Sequence, residues 1–156
     1  MSKSLKRVIR ALDAAGIDAT PVEMTGGART AQDAADAVGC ELDQIAKSII
    51  FRGETTNEAV LFITAGGNQV CADAASKVAG EPLGKADAAL IRSQTGFAIG
   101  GVSPVGHLSP IRAFFDPKLL EFDTVWAAAG TPRHVFPINP ADLQRISEAQ
   151  TIDFTS

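Results

Sequence analysis

Leu5, Val8, Ile9, Leu12 and Ile17 recur at the spacing of one helix face, and Gly16 offers a stop, which predicts an amphipathic helix over residues 3–15. A short strand is expected over Ala19–Met24. The GGART segment then breaks the pattern, and Thr30 occupies an N-cap position, with Asp33 placed to complement the positive end of a helix that runs to Val38 and closes at Gly39. Glu41–Ala46 reads as one further helical turn. KSIIFRG, with Lys47 opening it, and AVLFITAGGN are β-rich runs separated by the polar stretch Glu54–Glu58, which predicts a hairpin. Helices are expected over Asp73–Ala79 and Ala86–Thr95, strands over Arg112–Phe115, Thr124–Ala129 and His134–Pro137, and a last helix over Pro140–Ser147 with proline in its first turn. Strands do not alternate strictly with helices. The pattern predicts a single α+β domain over residues 1–156, with a mixed, mainly antiparallel sheet curled toward a barrel and flanked by helices.

Composition narrows the class without changing the fold. Hydrophobic residues make up 46% of the 156 positions and charged residues 21%, the balance of a chain that can bury a core. Runs such as Val60–Ala65 fall far short of the ~20 residues of a membrane span, and the basic start lacks an export signal, so a cytoplasmic protein without membrane contact is expected. A net charge of −4 argues against coating a nucleic-acid backbone, DNA included, but leaves contact with one end of a strand open. The two cysteines, Cys40 and Cys71, have neither metal spacing nor the density of a disulfide scaffold.

One stretch exceeds ordinary folding needs. TGFAIGGVSPVGH, residues 95–107, gathers Gly96, Gly100, Gly101, Pro104 and Gly106 around apolar residues. Such a loop is either a tight connection or a set of main-chain N–H groups brought close to a ligand. Its spacing is neither the dinucleotide fingerprint nor a phosphate loop ending in Gly-Lys-Ser/Thr. Lys47 is either a solvated lysine or a point cation aimed at a phosphate or a developing negative charge. His107 and His134 are the only histidines, and no nucleophile-base pair, carboxylate dyad or metal-ligand set can be assembled around them, so no metal or cofactor is expected. Catalysis, if present, must rest on positioning and main-chain dipoles.

The ordered set T-A-x-x-A-A at Thr30–Ala35, I-A-K-S-I-I-F at Ile45–Phe51, G-F-A-I-G-G-V-S-P-V-G at Gly96–Gly106, A-G-T-P-R-H at Ala129–His134 and P-A-D-L at Pro140–Leu143 resembles the YbaK-like family, which includes the editing domain of prolyl-tRNA synthetase. The resemblance implies a trans-acting aminoacyl-tRNA deacylase that hydrolyses the ester of a mischarged small amino acid, typically on the tRNA for proline. Its partners would be the acceptor end of the tRNA and prolyl-tRNA synthetase, for a monomer or weak homodimer. The family's lysine maps onto Lys47 and its G-x-x-x-P loop onto Gly100–Pro104. The resemblance puts Lys47, Gly100 and Gly101 at the reacting ester, and Thr30, Val102, Ser103, Pro104, Gly130 and His134 around the substrate. Lys47 is expected to serve as a cation rather than a general base. The competing reading is a binding module that holds a tRNA end, a nucleotide or a protein partner without turnover.

Overall fold

The computed structural model describes residues 2–156. Among these residues the chain forms five α-helices and an eight-stranded sheet, in the order α1 (Lys3–Ala14), β1 (Val22–Glu23), α2 (Ala31–Val38), β2 (Ile45–Gly53), β3 (Ala59–Ala65), α3 (Ala72–Ala79), β4 (Leu83–Lys85), α4 (Ala88–Thr95), β5 (Arg112–Phe115), β6 (Val125–Ala128), β7 (His134–Ile138), α5 (Pro140–Ser147) and β8 (Gln150–Thr151). The sheet order is β1-β7-β6-β2-β3-β5-β8, with β4 also on β2. Pairings of β2 with β3 and β4, and of β7 with β1 and β6, are antiparallel; those of β2 with β6, β3 with β5 and β5 with β8 are parallel. The fold is therefore α+β with a mixed sheet, as expected, but the sheet ends at β1 and β8 and does not close into a barrel.

Local chemistry accounts for most boundaries. The Ser2 hydroxyl caps α1 by accepting the Leu5 N–H at 3.0 Å, and Leu5, Val8 and Leu12 bury the helix's apolar face. Thr30 caps α2 through the Asp33 N–H at 3.1 Å, and Asn139 caps α5. The helical turn expected over Glu41–Ala46 is only a 3-10 turn over Leu42–Gln44. Glu41 and Gln44 cap one another across it, and β-branched Ile45 is already opposite Trp126 in the sheet. Lys47 is consequently the third residue of its strand, not the first. The short strand expected at Ala19–Met24 contracts to Val22–Glu23.

Three apolar clusters hold the sheet. The largest packs α1 and the glycine loop, through Phe97, Val102 and Val105, onto Leu61, Ile63 and Phe115. A second lies under α2 and joins Met24, Ala34, Ile45 and Val135, with Trp126 against it. The third stacks Phe62 on Phe114 with centroids 5.3 Å apart and sets Phe154 edge-on at 4.9 Å.

The hairpin turn after β2 is latched by a charge. Glu81, largely buried, accepts the N–H groups of Thr55 and Thr56 at 3.0 Å each, and receives Arg112 Nη2 at 2.5 Å. Its carboxylate occupies the space where Gly53 has no Cβ. The Thr56 N–H first, then Arg112 and the remaining donors, outweigh burial and hold the Glu81 carboxyl down to about 2. Because the folded pKa lies below the unfolded one, this latch stabilises the fold fully above pH ~4.5 and is lost as pH falls toward 2. Glu81→Gln should lower the melting temperature at neutral pH and flatten its fall between pH 4.5 and 2; calorimetric melts over that range check it, and an unchanged acid slope would remove Glu81 as the latch.

Candidate active site

Strand β2 lacks a neighbour over part of one edge. The Gly53 N–H donates to the Glu58 carbonyl at 2.8 Å, so odd-numbered residues of β2 turn their main-chain groups toward β3. The register agrees: on β3 the even-numbered residues face β2, and the Ile63 carbonyl and the Ala65 N–H are engaged by Asp116 on the other side. Ser48 and Ile50 therefore face the opposite edge. There β6 pairs only Ile45 and Ala46, and β4 only Phe51, Arg52 and Gly53, which leaves Lys47–Ile50 with no strand beside them. The Ser48 hydroxyl is sealed from solvent and has no hydrogen-bond partner among the described residues.

A cavity of about 680 Å³ opens at this notch. It is lined by Ile45–Phe51, by Thr30 and neighbours at the start of α2, by Leu83–Ala86, and by Gly100, Val102, Trp126 and His134. That volume is in the range of sites for drug-sized ligands and exceeds what a small amino acid needs.

Lys47 Nζ donates to the Asn68 carbonyl at 2.6 Å. Partial burial pulls its pKa below the usual lysine range, and the carboxylates of Asp116 and Asp43 oppose that shift. Asp116, almost wholly buried, accepts the Asn68 amide at 2.8 Å and the Ala65 N–H at 3.1 Å, so Lys47 is braced by a polar group that sequence reasoning missed. Its one sequence signal is Asp116-Pro117, which opens a 3-10 turn after β5.

The glycine loop forms the facing wall, and α1 holds it. Arg7 donates through Nε to the Gly106 carbonyl at 2.7 Å and through Nη2 to the Gly96 carbonyl at 2.8 Å, clamping both ends of the loop, while its guanidinium lies 4.4 Å above the Phe97 ring. Within the loop, Ser103 is fully buried, its hydroxyl accepting the Val105 N–H and its carbonyl 2.7 Å from His107 Nε2. Burial holds His107 below the usual imidazole range, against the pull of the Ser103 carbonyl. His107 is thus part of the loop's internal frame.

The residues singled out from sequence divide into two groups. Lys47, Thr30, Gly100, Val102 and His134 line the cavity; Gly101, Ser103, Pro104 and Gly130 lie behind its wall. The Gly101 N–H, expected to be a free donor, is taken by the Ala98 carbonyl at 3.0 Å, and Gly101 packs tightly on Thr131. The N–H groups of Gly100 and Val102 have no acceptor among the described residues. The Thr30 hydroxyl, expected at the substrate, is engaged in capping α2. His134 shares a hydrogen bond through Nδ1 with the Thr131 hydroxyl at 2.7 Å, which fixes the ring. Among the described residues no three His, Cys, Asp or Glu side chains gather as a metal site would need, and no helix is long and apolar enough to cross a membrane.

The cavity thus combines the cations Lys47, Lys85 and Arg29 with glycine-loop residues, and no nucleophile-base pair is assembled in it, within a single α+β domain. Residues 25–146 match the aminoacyl-tRNA editing domain, and the chain belongs to that family. The uncharacterized protein YwhH of Bacillus subtilis is 30% identical over 125 residues, 80% of this chain and 79% of that protein. Two solved structures superpose on the whole chain, each with a TM-score of 0.93 and 99% of its own length covered. One, 43% identical, is of a candidate trans-editing enzyme for prolyl-tRNA synthetase. The other, 41% identical, comes from work on grafting linear epitopes onto scaffold proteins.

Proposed function

We propose that the chain acts in trans to hydrolyse the ester of a mischarged small amino acid on tRNA, with the tRNA for proline as its substrate. The observation that carries this reading is the notch in β2, where Lys47 lines the same cavity as Gly100 and Val102, whose N–H groups have no acceptor among the described residues, and where no nucleophile-base pair is assembled. An aminoacyl ester is an activated bond, so a water oriented by main-chain groups or by the neighbouring ribose hydroxyl suffices to attack it. The Gly100 and Val102 donors suit the oxyanion that develops on the ester carbonyl, and Lys47 suits a phosphate of the terminal nucleotide. Val102 and His134 wall the part assigned to the amino acid, where steric exclusion would reject larger side chains. A net charge of −4 fits contact confined to the acceptor end.

The test is to incubate the protein with proline tRNA charged with alanine, cysteine, serine, threonine or proline. Release of at least one small non-cognate amino acid, with prolyl-tRNA spared, is expected. Release at the buffer rate across the panel would sink the proposal, and retained binding of uncharged tRNA would then favour a module that holds a tRNA end without turnover.

A further inference from the structure

We infer that the cationic face of α1 is the seat of the duplex part of the acceptor stem, held by its phosphate backbone while the strand's end enters the cavity; this rests on the reading of the cavity as an editing site.

The charges of α1 are placed against its own stability. Lys3, Lys6, Arg7 and Arg10 recur at i, i+3, i+4 and i+7, one face of the helix, opposite the buried Leu5, Val8 and Leu12. Like charges at that spacing repel, and Lys3 and Lys6 lie in the first turn, where the helix dipole already concentrates positive charge. Helices α2, α3 and α5 carry an acid in that turn, whereas α1 has none there and no base in its last turn. Lys3, Lys6 and Arg10 are exposed, and none enters an ion pair among the described residues. The chain's 14 Lys and Arg include these four, while all 18 Asp and Glu follow Arg10. The helix is therefore a positive island on an acidic chain, a local match for a polyanion that the net charge conceals.

The helix also stands beside the way out of the cavity. A second depression, of about 490 Å³, lies between Ser2 and Leu5 of α1, Glu23 of β1 and the segment Thr131–His134. Thr131, Pro132 and His134 line the main cavity as well, so the two meet across this segment, where Arg133 adds a further cation. The Arg7 clamp and the close approach of the Ser4 carbonyl to Gly130 fasten α1 to the cavity wall. A duplex held on the helix is thereby held at a set distance from the reacting end. From Lys3 to Arg10 the face runs about 10 Å, roughly the rise of three phosphates along one strand.

The test titrates a fluorophore-labelled minihelix of the proline tRNA acceptor stem, and the single-stranded tetranucleotide ACCA, over a salt series. The variant Lys3→Ala/Lys6→Ala/Arg10→Ala leaves Arg7 in its clamp and should melt at or slightly above the wild-type temperature, because it removes repulsion along α1. It should bind the minihelix roughly tenfold more weakly, with the slope of log K against log salt smaller by about two to three, and bind ACCA as the wild type does. Lys77→Ala/Lys118→Ala/Arg145→Ala, which removes as many charges elsewhere, should match the wild type. Unchanged minihelix affinity in the first variant, or an equal loss in the second, overturns the inference. So does a wild type that binds the minihelix no more tightly than ACCA, or that prefers phosphatidylserine vesicles to the minihelix. In deacylation of mischarged tRNA, the first variant should raise KM roughly tenfold with kcat little changed. An unchanged KM overturns the inference while leaving the editing activity standing. If no mischarged tRNA is hydrolysed, the editing reading falls and the minihelix titration still decides this one.

Discussion

Lys47→Ala should lower kcat/KM for deacylation by about 100-fold while the chain remains folded. The lysine is half-exposed and makes one hydrogen bond, to the Asn68 carbonyl, so truncation removes little packing, and water can take up that carbonyl. What is lost is a cation at the notch, beside the place where the substrate's negative charge would sit. Asp116 and Asp43, no longer balanced, would make the cavity more acidic and add repulsion toward a phosphate. Single-turnover hydrolysis together with a thermal melt checks the result. An unchanged rate in a folded variant would remove Lys47 from the site, and a collapsed melt would show that its role is structural.

The second large effect concerns a residue outside the cavity lining. Gly130 has φ +93°, and a Cβ there would lie 2.8 Å from the Ser4 carbonyl oxygen and 3.1 Å from Phe97 Cε1. Gly130→Ala must therefore strain its own backbone and push α1 from the loop together. The two costs amount to about 3 kcal/mol, or a melting temperature lowered by about 10 °C. Deacylation should fall with it, since α1 carries the Arg7 clamp on the glycine loop. Gly16→Ala is the control, because its φ is also positive but nothing lies within 4 Å of the added methyl. Equal melts for the two variants would show that contact with α1 contributes nothing.

Elements whose signals are local were legible in the sequence. Pro140–Ser147 is bounded by an asparagine cap and a proline first turn, and the β2–β3 hairpin by two β-branched runs, and both form as expected. Strands β4 and β8 were not legible, because Leu83–Lys85 and Gln150–Thr151 are too short to show a period and are strands only through what they pair with. The same distinction runs through the site. Lys47, Gly100 and His134 could be found by motif, and they line the cavity. Gly101 and Ser103 share the motif but serve the loop's own hydrogen bonds, which spacing cannot reveal. Trp126, Asp116 and the notch depend on which strands end where along β2, a matter of register that no single stretch of chain records.

The notch also bears on self-association. An exposed strand edge invites another chain to add to the sheet, and proteins commonly answer with charge, bulges or a covering segment. Here the unpaired run is only Lys47–Ile50, bounded by β6 at one end and β4 at the other. A foreign strand long enough to be stable would have to peel one of them away. A short, compact group meets no such obstacle, so the break in the sheet has room for a compact group but not for an added strand.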